Sequence, residues 1–162
     1  MKLPNRFTFV LAAVLLARGP VVPAPVPADA KDDAKAELAR LAGKWKIVSI
    51  KKEGVDLFAD LENPPEIVIT FMKDGSFEWA AGAGVPGKIA HIDPSKKLKE
   101  MDYLFSAGDN KGKTQKAIYK LDGDTFTDCF TEPGAKERPT AFESTEDNGY
   151  TVIVYKRIKK ID

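Results

Sequence analysis

Hydrophobic and polar residues alternate along most of this chain from residue 44 onward, in short runs separated by turn residues. Such alternation sends successive side chains to opposite faces, which is the pattern of half-buried β-strands. The predicted strands cover eight runs: 44–52, 66–72, 77–79, 88–93, 99–106, 115–121, 125–130 and 150–157. Hairpin signals such as Asp74-Gly75 join neighbouring runs, because glycine supplies the positive φ that tight turns need. We predict an all-β, eight-stranded antiparallel up-and-down barrel, which has no free sheet edge.

The segment in front of these runs has a different period. Ala34, Leu38 and Leu41 recur at helical spacing among alanine, lysine and glutamate residues, and Gly43 follows as a stop signal. We predict a short N-terminal helix leading into the barrel, in one domain that covers residues 31–162.

Residues 1–30 have the pattern of a signal peptide. Lys2 and Arg6 precede an apolar run at 7–17, which is too short to cross a membrane comfortably as a helix. The sequence Ala28-Asp29-Ala30 resembles a cleavage site. We expect an exported protein, periplasmic or extracellular, that has no membrane span once the signal is removed. An uncleaved anchor is the alternative, because a basic residue and a long proline-rich spacer follow the apolar run.

Composition narrows the function classes. The net charge of +1 implies no strong attraction to nucleic acid. The single cysteine, Cys129, excludes an internal disulfide, so packing alone must stabilise the domain. The single histidine, His91, excludes a site built from several histidines, and no cofactor motif occurs. We therefore expect a monomeric protein that is not an enzyme and holds neither a metal nor a cofactor.

His91 lies in the fourth predicted strand. Alternation there places Ala90 and Ile92 towards the interior and His91 towards solvent. A dyad of Cys129 and His91 is a formal possibility. Cysteine as a small packing residue is the interpretation that we favour.

Asp128 is the unusual residue of the predicted barrel, since it shares one strand face with Phe126 and Phe130. If that face is interior, the carboxylate needs a ligand, a tyrosine hydroxyl or an arginine such as Arg138 as its partner, because an unpaired buried charge is costly. The alternative is a bulged strand, or a face that points outward near the barrel mouth. We favour this alternative, a bulged strand or an outward face, over the interior position.

Two landmarks resemble lipocalin-like barrels. Gly43-Lys44-Trp45 opens the first strand like the G-x-W signature of that superfamily. Arg157 ends the last strand, where such barrels often place an arginine across the tryptophan. A guanidinium stacked on the indole would seal one barrel end, so Trp45 and Arg157 are the predicted closure residues.

A longer set of segments occurs in one order: 41–49, 92–97, 118–125, 129–130 and 137–140. Together they resemble a family of uncharacterised small lipocalin-like domains from exported planctomycete proteins, over roughly residues 38–158. The resemblance implies the fold and almost nothing about activity. Leu98 and Asp128 depart from the family pattern, which usually has a proline and an apolar residue at these positions.

We expect an exported lipocalin-like binding protein for a small hydrophobic or amphipathic ligand. The candidate ligand-binding residues are mostly inward-facing aromatic residues: Phe71, Phe77, Trp79, Met101, Tyr103, Phe105, Tyr119, Phe126 and Asp128. The same side chains can equally fill a narrow barrel. In that case the protein would be an interaction module with a solid core, contacting another exported or envelope protein through loops 54–65, 80–87 and 132–139.

Overall fold

The computed structural model describes residues 28–80 and 84–159. Within these ranges the elements are α1 (Ala28–Leu41), β1 (Gly43–Lys52), β2 (Val55–Asp56), β3 (Val68–Phe71), β4 (Ser76–Ala80), β5 (Val85–Asp93), β6 (Lys99–Phe105), β7 (Thr114–Asp122), β8 (Thr125–Phe130) and β9 (Thr151–Arg157). The predicted signal peptide lies outside the described residues, apart from 28–30, which form the start of α1. The predicted helix therefore begins three residues earlier than its pattern suggested.

The strands close into a barrel. Each strand from β3 to β9 pairs antiparallel with its neighbour in sequence, β1 pairs with β3, and β1 also pairs with β9 along nearly its whole length. The two-residue strand β2 pairs only with the end of β1. The predicted eight-stranded antiparallel up-and-down barrel with a short N-terminal helix is confirmed.

A bulge in β5 changes which of its residues face inward. The register with β6 shifts between Ile89 and His91, so Ala90 has no partner of its own. Ile89 is buried, whereas Ala90 and His91 are both exposed. The outward position of His91 is confirmed, and the inward position predicted for Ala90 is wrong because the bulge interrupts the alternation.

Aromatic side chains fill the barrel interior. Ring centroids lie 5.8 Å apart for Trp45 and Phe126, 5.7 Å for Phe126 and Phe71, and 6.2 Å for Phe71 and Phe77. Phe77 then meets the ring of Tyr103 edge-on at 5.4 Å. These tilted and edge-on contacts are the favourable geometries for aromatic pairs. The chain of rings makes the middle of the barrel a packed core.

Gly87 shows how tightly this core is packed. A Cβ atom at this inward position of β5 would lie 2.3 Å from Cζ of Phe77 and 2.8 Å from the carbonyl oxygen of Leu104. The ring of Phe77 thus occupies the space that a side chain would need. We expect Gly87→Ala to lower the free energy of unfolding by about 2–3 kcal/mol, measured by urea denaturation.

The same substitution in a Phe77→Leu variant tests whether the ring of Phe77 causes this loss of stability. In Phe77→Leu the ring is gone, so Gly87→Ala should lower the free energy of unfolding by at least about 1 kcal/mol less than in the wild type. Strictly additive losses would contradict the role of the Phe77 ring in this clash.

Candidate binding site at the open end of the barrel

One end of the barrel is sealed by α1 and the first and last strands. Leu41 and Trp45 are fully buried there, and Trp45 Nε1 donates a hydrogen bond to the Leu41 carbonyl at 2.8 Å. The Arg157 guanidinium carbon lies 4.0 Å from the centre of the indole. Its Nη1 and Nη2 donate to the carbonyls of Ala42 at 2.8 Å and Arg40 at 2.6 Å. The structure thus brings the two predicted closure residues into contact.

The backbone conformation and the surroundings of position 43 explain why a glycine occurs two residues before Trp45. The φ of Gly43, +127°, is strained for other residues. A Cβ atom there would also lie only 3.1 Å from Nη1 of Arg157. A side chain at position 43 would therefore press against the guanidinium that covers Trp45.

A buried acid anchors α1 to the barrel. The Glu37 side chain is 4% exposed, and its Oε1 accepts hydrogen bonds from Lys99 Nζ at 2.6 Å and the Tyr119 hydroxyl at 3.2 Å. Arg40 Nη1 donates to the other carboxylate oxygen at 2.8 Å. Burial, followed by the charge of Glu37, raises the pKa of Tyr119 above its ordinary value. Glu37 was not predicted as an anchoring residue, although it lies one helical turn before Leu41 and on the same face.

The opposite end of the barrel holds a cavity of about 510 Å³. This volume is typical of small-molecule sites. The lining residues come from β4 to β8 and the two turns that follow β6 and β8: Trp79, Val85, Phe105, Ala107, Gly108, Asp109, Asn110, Gln115, Phe130, Glu132 and Pro133. Phe105 and Phe130 also belong to the core cluster. These two rings therefore separate the cavity from the packed interior.

Gln115 is the most buried polar residue of the cavity wall, at 6% exposure. Its Nε2 donates a hydrogen bond to the Thr131 carbonyl at 2.9 Å, which fixes the amide. The amide oxygen Oε1 accepts no hydrogen bond from the part of the chain that is described. It therefore remains available as an acceptor at the cavity.

Asp128 lies beneath the cavity, fully buried in the barrel interior. Its Oδ2 accepts hydrogen bonds from the hydroxyl groups of Tyr103 at 2.7 Å and Tyr155 at 3.5 Å. Its Oδ1 has no partner among the described residues. Burial raises the pKa of Asp128 to about 7, although both tyrosine hydrogen bonds act to lower it. Burial and the nearby carboxylate in turn raise the pKa values of Tyr103 and Tyr155.

This position of Asp128 corrects the arrangement that we favoured. β8 pairs with β7 and β9 without any register shift, so the predicted bulge or outward face is wrong. The interior alternative, with a tyrosine hydroxyl as partner, describes the structure. Arg138 is engaged elsewhere: it donates to the carbonyls of Met101 and Ala117 and lies 2.7 Å from Asp102.

Cys129 faces away from the interior, next to Asp128 in sequence. It is fully buried with Ile118 and Val152 in a second cluster, against which Phe142 and Tyr150 pack. Burial, followed by the charge of Asp128, raises the pKa of the thiol to about 12. His91 lies on β5, and β6 and β7 lie between β5 and β8. The two strands are therefore about 14 Å apart along the sheet at ordinary strand spacing. The structure therefore contains no Cys129–His91 dyad.

The predicted ligand-binding residues divide into two groups. Trp79 and Phe105 line the cavity. The other seven are buried in the interior instead: Phe71, Phe77, Met101, Tyr103, Tyr119, Phe126 and Asp128. Phe130 was not predicted as a cavity residue, although its position follows from the alternation of β8. Val85, Gln115 and the residues of the two turns were not predicted as ligand-binding residues either, and the turns show no periodic signal.

Residues 28–80 and 84–159 contain no group of three or more histidine, cysteine, aspartate or glutamate residues placed to hold a metal ion. No helix in these ranges has the length and apolar character needed to span a membrane. No family model, curated protein or solved structure matches this chain.

Proposed function

We propose that this protein binds a small hydrophobic or amphipathic molecule in the cavity at the open end of its barrel. The observation that carries the proposal is the 510 Å³ volume with largely apolar walls, which sits above a packed core. The binding site is thus the mouth of the barrel rather than its middle. The signal pattern of residues 1–30 supports an exported binding protein, and the stacking of Arg157 on Trp45 supports a relationship to lipocalin-like domains.

The walls of the cavity favour an apolar ligand. Trp79 and Val85 are half-buried, and their surfaces face the same space as Phe105 and Phe130. A ligand that covers these surfaces gains roughly 25 cal/mol for each Å² of apolar area removed from water. These four apolar residues lie on paired strands of a closed barrel, so this part of the wall needs little ordering on binding.

The reactive side chains of the chain support binding rather than catalysis. The Cys129 thiol is buried with a raised pKa, which disfavours the thiolate that acts as a nucleophile. His91 is exposed on the outer surface. Asp128 lies in the packed interior, separated from the cavity by Phe105 and Phe130, and does not line the cavity.

Trp79→Ala tests where the ligand binds. We expect the variant to bind an uncharged, environment-sensitive dye such as N-phenyl-1-naphthylamine about tenfold more weakly, because a large aromatic wall is lost. Dye fluorescence titration measures the affinity. The matched control is Val48→Ala, which removes an exposed apolar side chain from the outer surface of the barrel.

Native mass spectrometry of the protein from its own source would show a ligand that is already bound. Unchanged dye affinity in Trp79→Ala, or no saturable dye binding at all, would refute the proposed site.

A second candidate function has its own support in the connection between β1 and β3. Val55, Leu57 and Leu61 are 60%, 49% and 47% exposed within twelve residues of loop 54–65. Clustered exposed apolar residues are typical of protein contacts. A pull-down from the envelope fraction tests this interaction module. A partner that binds the wild type and also the triple serine variant of these residues would contradict it.

A further inference from the structure

We propose that the ligand of the cavity carries a protonated amine on an apolar body, and that the cavity selects this head group by its charges and its hydrogen-bond acceptors. The inference rests on the proposed function and adds the chemical class of the ligand. Three independent features of the described cavity wall support it.

The first feature is the charge of the wall. Asp109 and Glu132 are its charged residues, and none of the described lining residues is a lysine, arginine or histidine. The wall is therefore negatively charged, which attracts cations and repels anions.

Nearby lysines do not cancel this charge. Lys52 Nζ lies 3.3 Å from a carboxylate oxygen of Glu132, but their side chains are 45% and 70% exposed. Exposed ion pairs of this kind are weak and exchange readily with another cation. Lys113 donates to Asn110 Oδ1 at 3.4 Å. Neither lysine lines the cavity.

The second feature is Gln115, which is independent of charge. Its side chain is fixed by the hydrogen bond to Thr131 and exposes an amide oxygen without a partner in the described structure. This oxygen lies beside an apolar wall and can accept a hydrogen bond that a ligand donates. An amine or an alcohol can donate this bond, and a carboxylate cannot.

The third feature is the aromatic wall. Trp79, Phe105 and Phe130 present three rings to the same space. The faces of such rings attract cations as well as apolar chains. A protonated amine satisfies all three features, an alcohol satisfies only the acceptor and the apolar wall, and a carboxylate satisfies only the apolar wall.

Three ligands of equal chain length test the inference. Decylamine, decanol and decanoate are compared at pH 7, below their aggregation concentrations, by displacement of the neutral dye and by calorimetry. We expect decylamine to bind about tenfold more tightly than decanol, with decanoate the weakest. Added salt should reduce the advantage of the amine, because it screens exposed charges.

Two double variants test whether the charges of the cavity cause the preference for the amine. In Asp109→Asn/Glu132→Gln, we expect the advantage of decylamine over decanol to fall to within about twofold. The matched control is Asp32→Asn/Asp33→Asn, which changes the net charge equally on exposed residues of α1 at the sealed end. The control should keep the preference for the amine.

The outcomes separate this inference from the proposed function. Equal affinity for the three ligands, or a preference for the amine that persists in the cavity variant, overturns the proposal of an amine ligand. Neither result affects the proposed binding site. Failure of the dye and of all three ligands to bind overturns the proposed function itself.

Discussion

The protein is expected to lose up to about 4 kcal/mol of stability as the pH rises from 4 to 8, because Asp128 ionises inside the barrel. The pKa of this carboxyl rises from 3.8 to about 7 through burial. Between these two values the folded state keeps a proton that the unfolded state has lost. The stabilisation is therefore fully present below about pH 4 and is lost as the pH rises through 7.

The other groups with shifted pKa values do not produce this slope. Tyr103 and Tyr155, which face Asp128, have raised pKa values and stay neutral throughout. The carboxyl groups of Asp56, Asp93 and Asp124 have lowered pKa values, so their contribution is lost only when the pH falls below about 4.

The variant Asp128→Asn tests whether Asp128 causes this loss of stability with rising pH. The amide keeps the shape of the carboxyl and an acceptor for Tyr103, and it resembles the protonated acid. We expect the variant to match the wild type near pH 4.5 and to be roughly 2–4 kcal/mol more stable at pH 8. Urea denaturation followed by circular dichroism at several pH values measures this difference.

Asp124→Asn provides the control, because the pKa of Asp124 is lowered and its contribution is lost only at low pH. This variant should keep the slope of the wild type between pH 4 and 8. A slope that survives in Asp128→Asn would show that another group is responsible.

Trp45→Ala is expected to lower the free energy of unfolding by about 4 kcal/mol. Trp45 is fully buried, packs on Phe126 and lies under Arg157. Its removal leaves a cavity at the sealed end and a Leu41 carbonyl without its hydrogen bond. Because the same contacts attach α1, amide hydrogen exchange in this helix should also accelerate.

Trp45→Phe separates these effects in a variant that keeps most of the packing. It loses the Nε1 hydrogen bond, so we expect a smaller loss of about 1–2 kcal/mol with faster exchange near Leu41. Unchanged exchange in α1 in both variants would contradict the role of Trp45 in closing the barrel.

The strands could be predicted because their signal is local. Alternation lies within each run, turn signals such as Asp74-Gly75 lie between neighbouring runs, and β8 matches its predicted bounds at both ends. The closure by Trp45 and Arg157 followed from a resemblance, since residues at opposite ends of the domain share no local pattern. The bulge at Ala90 could not be predicted, because one extra residue leaves the composition of the strand unchanged.

The environment of Asp128 could not be predicted from its own strand. Its partners Tyr103 and Tyr155 lie 25 and 27 residues away in sequence, on β6 and β9. A bulged strand or an outward face was favoured, because strand register is poorly determined by the sequence of a single strand. The position of the cavity was equally hidden, because it depends on how far the rings fill the barrel, as Phe77 does beside Gly87.

The chain has two tryptophans, and they mark the two ends of the barrel: Trp79 lines the cavity and Trp45 lies at the sealed end. Titration of the ¹⁵N-labelled protein with decanol, followed by the two indole N–H signals, therefore tests most directly whether the ligand binds at the mouth above a solid core. The signal of Trp79 should shift in a saturable way while that of Trp45 stays in place. A saturable shift of Trp45 that is as large as that of Trp79, or no shift of Trp79, would contradict this account.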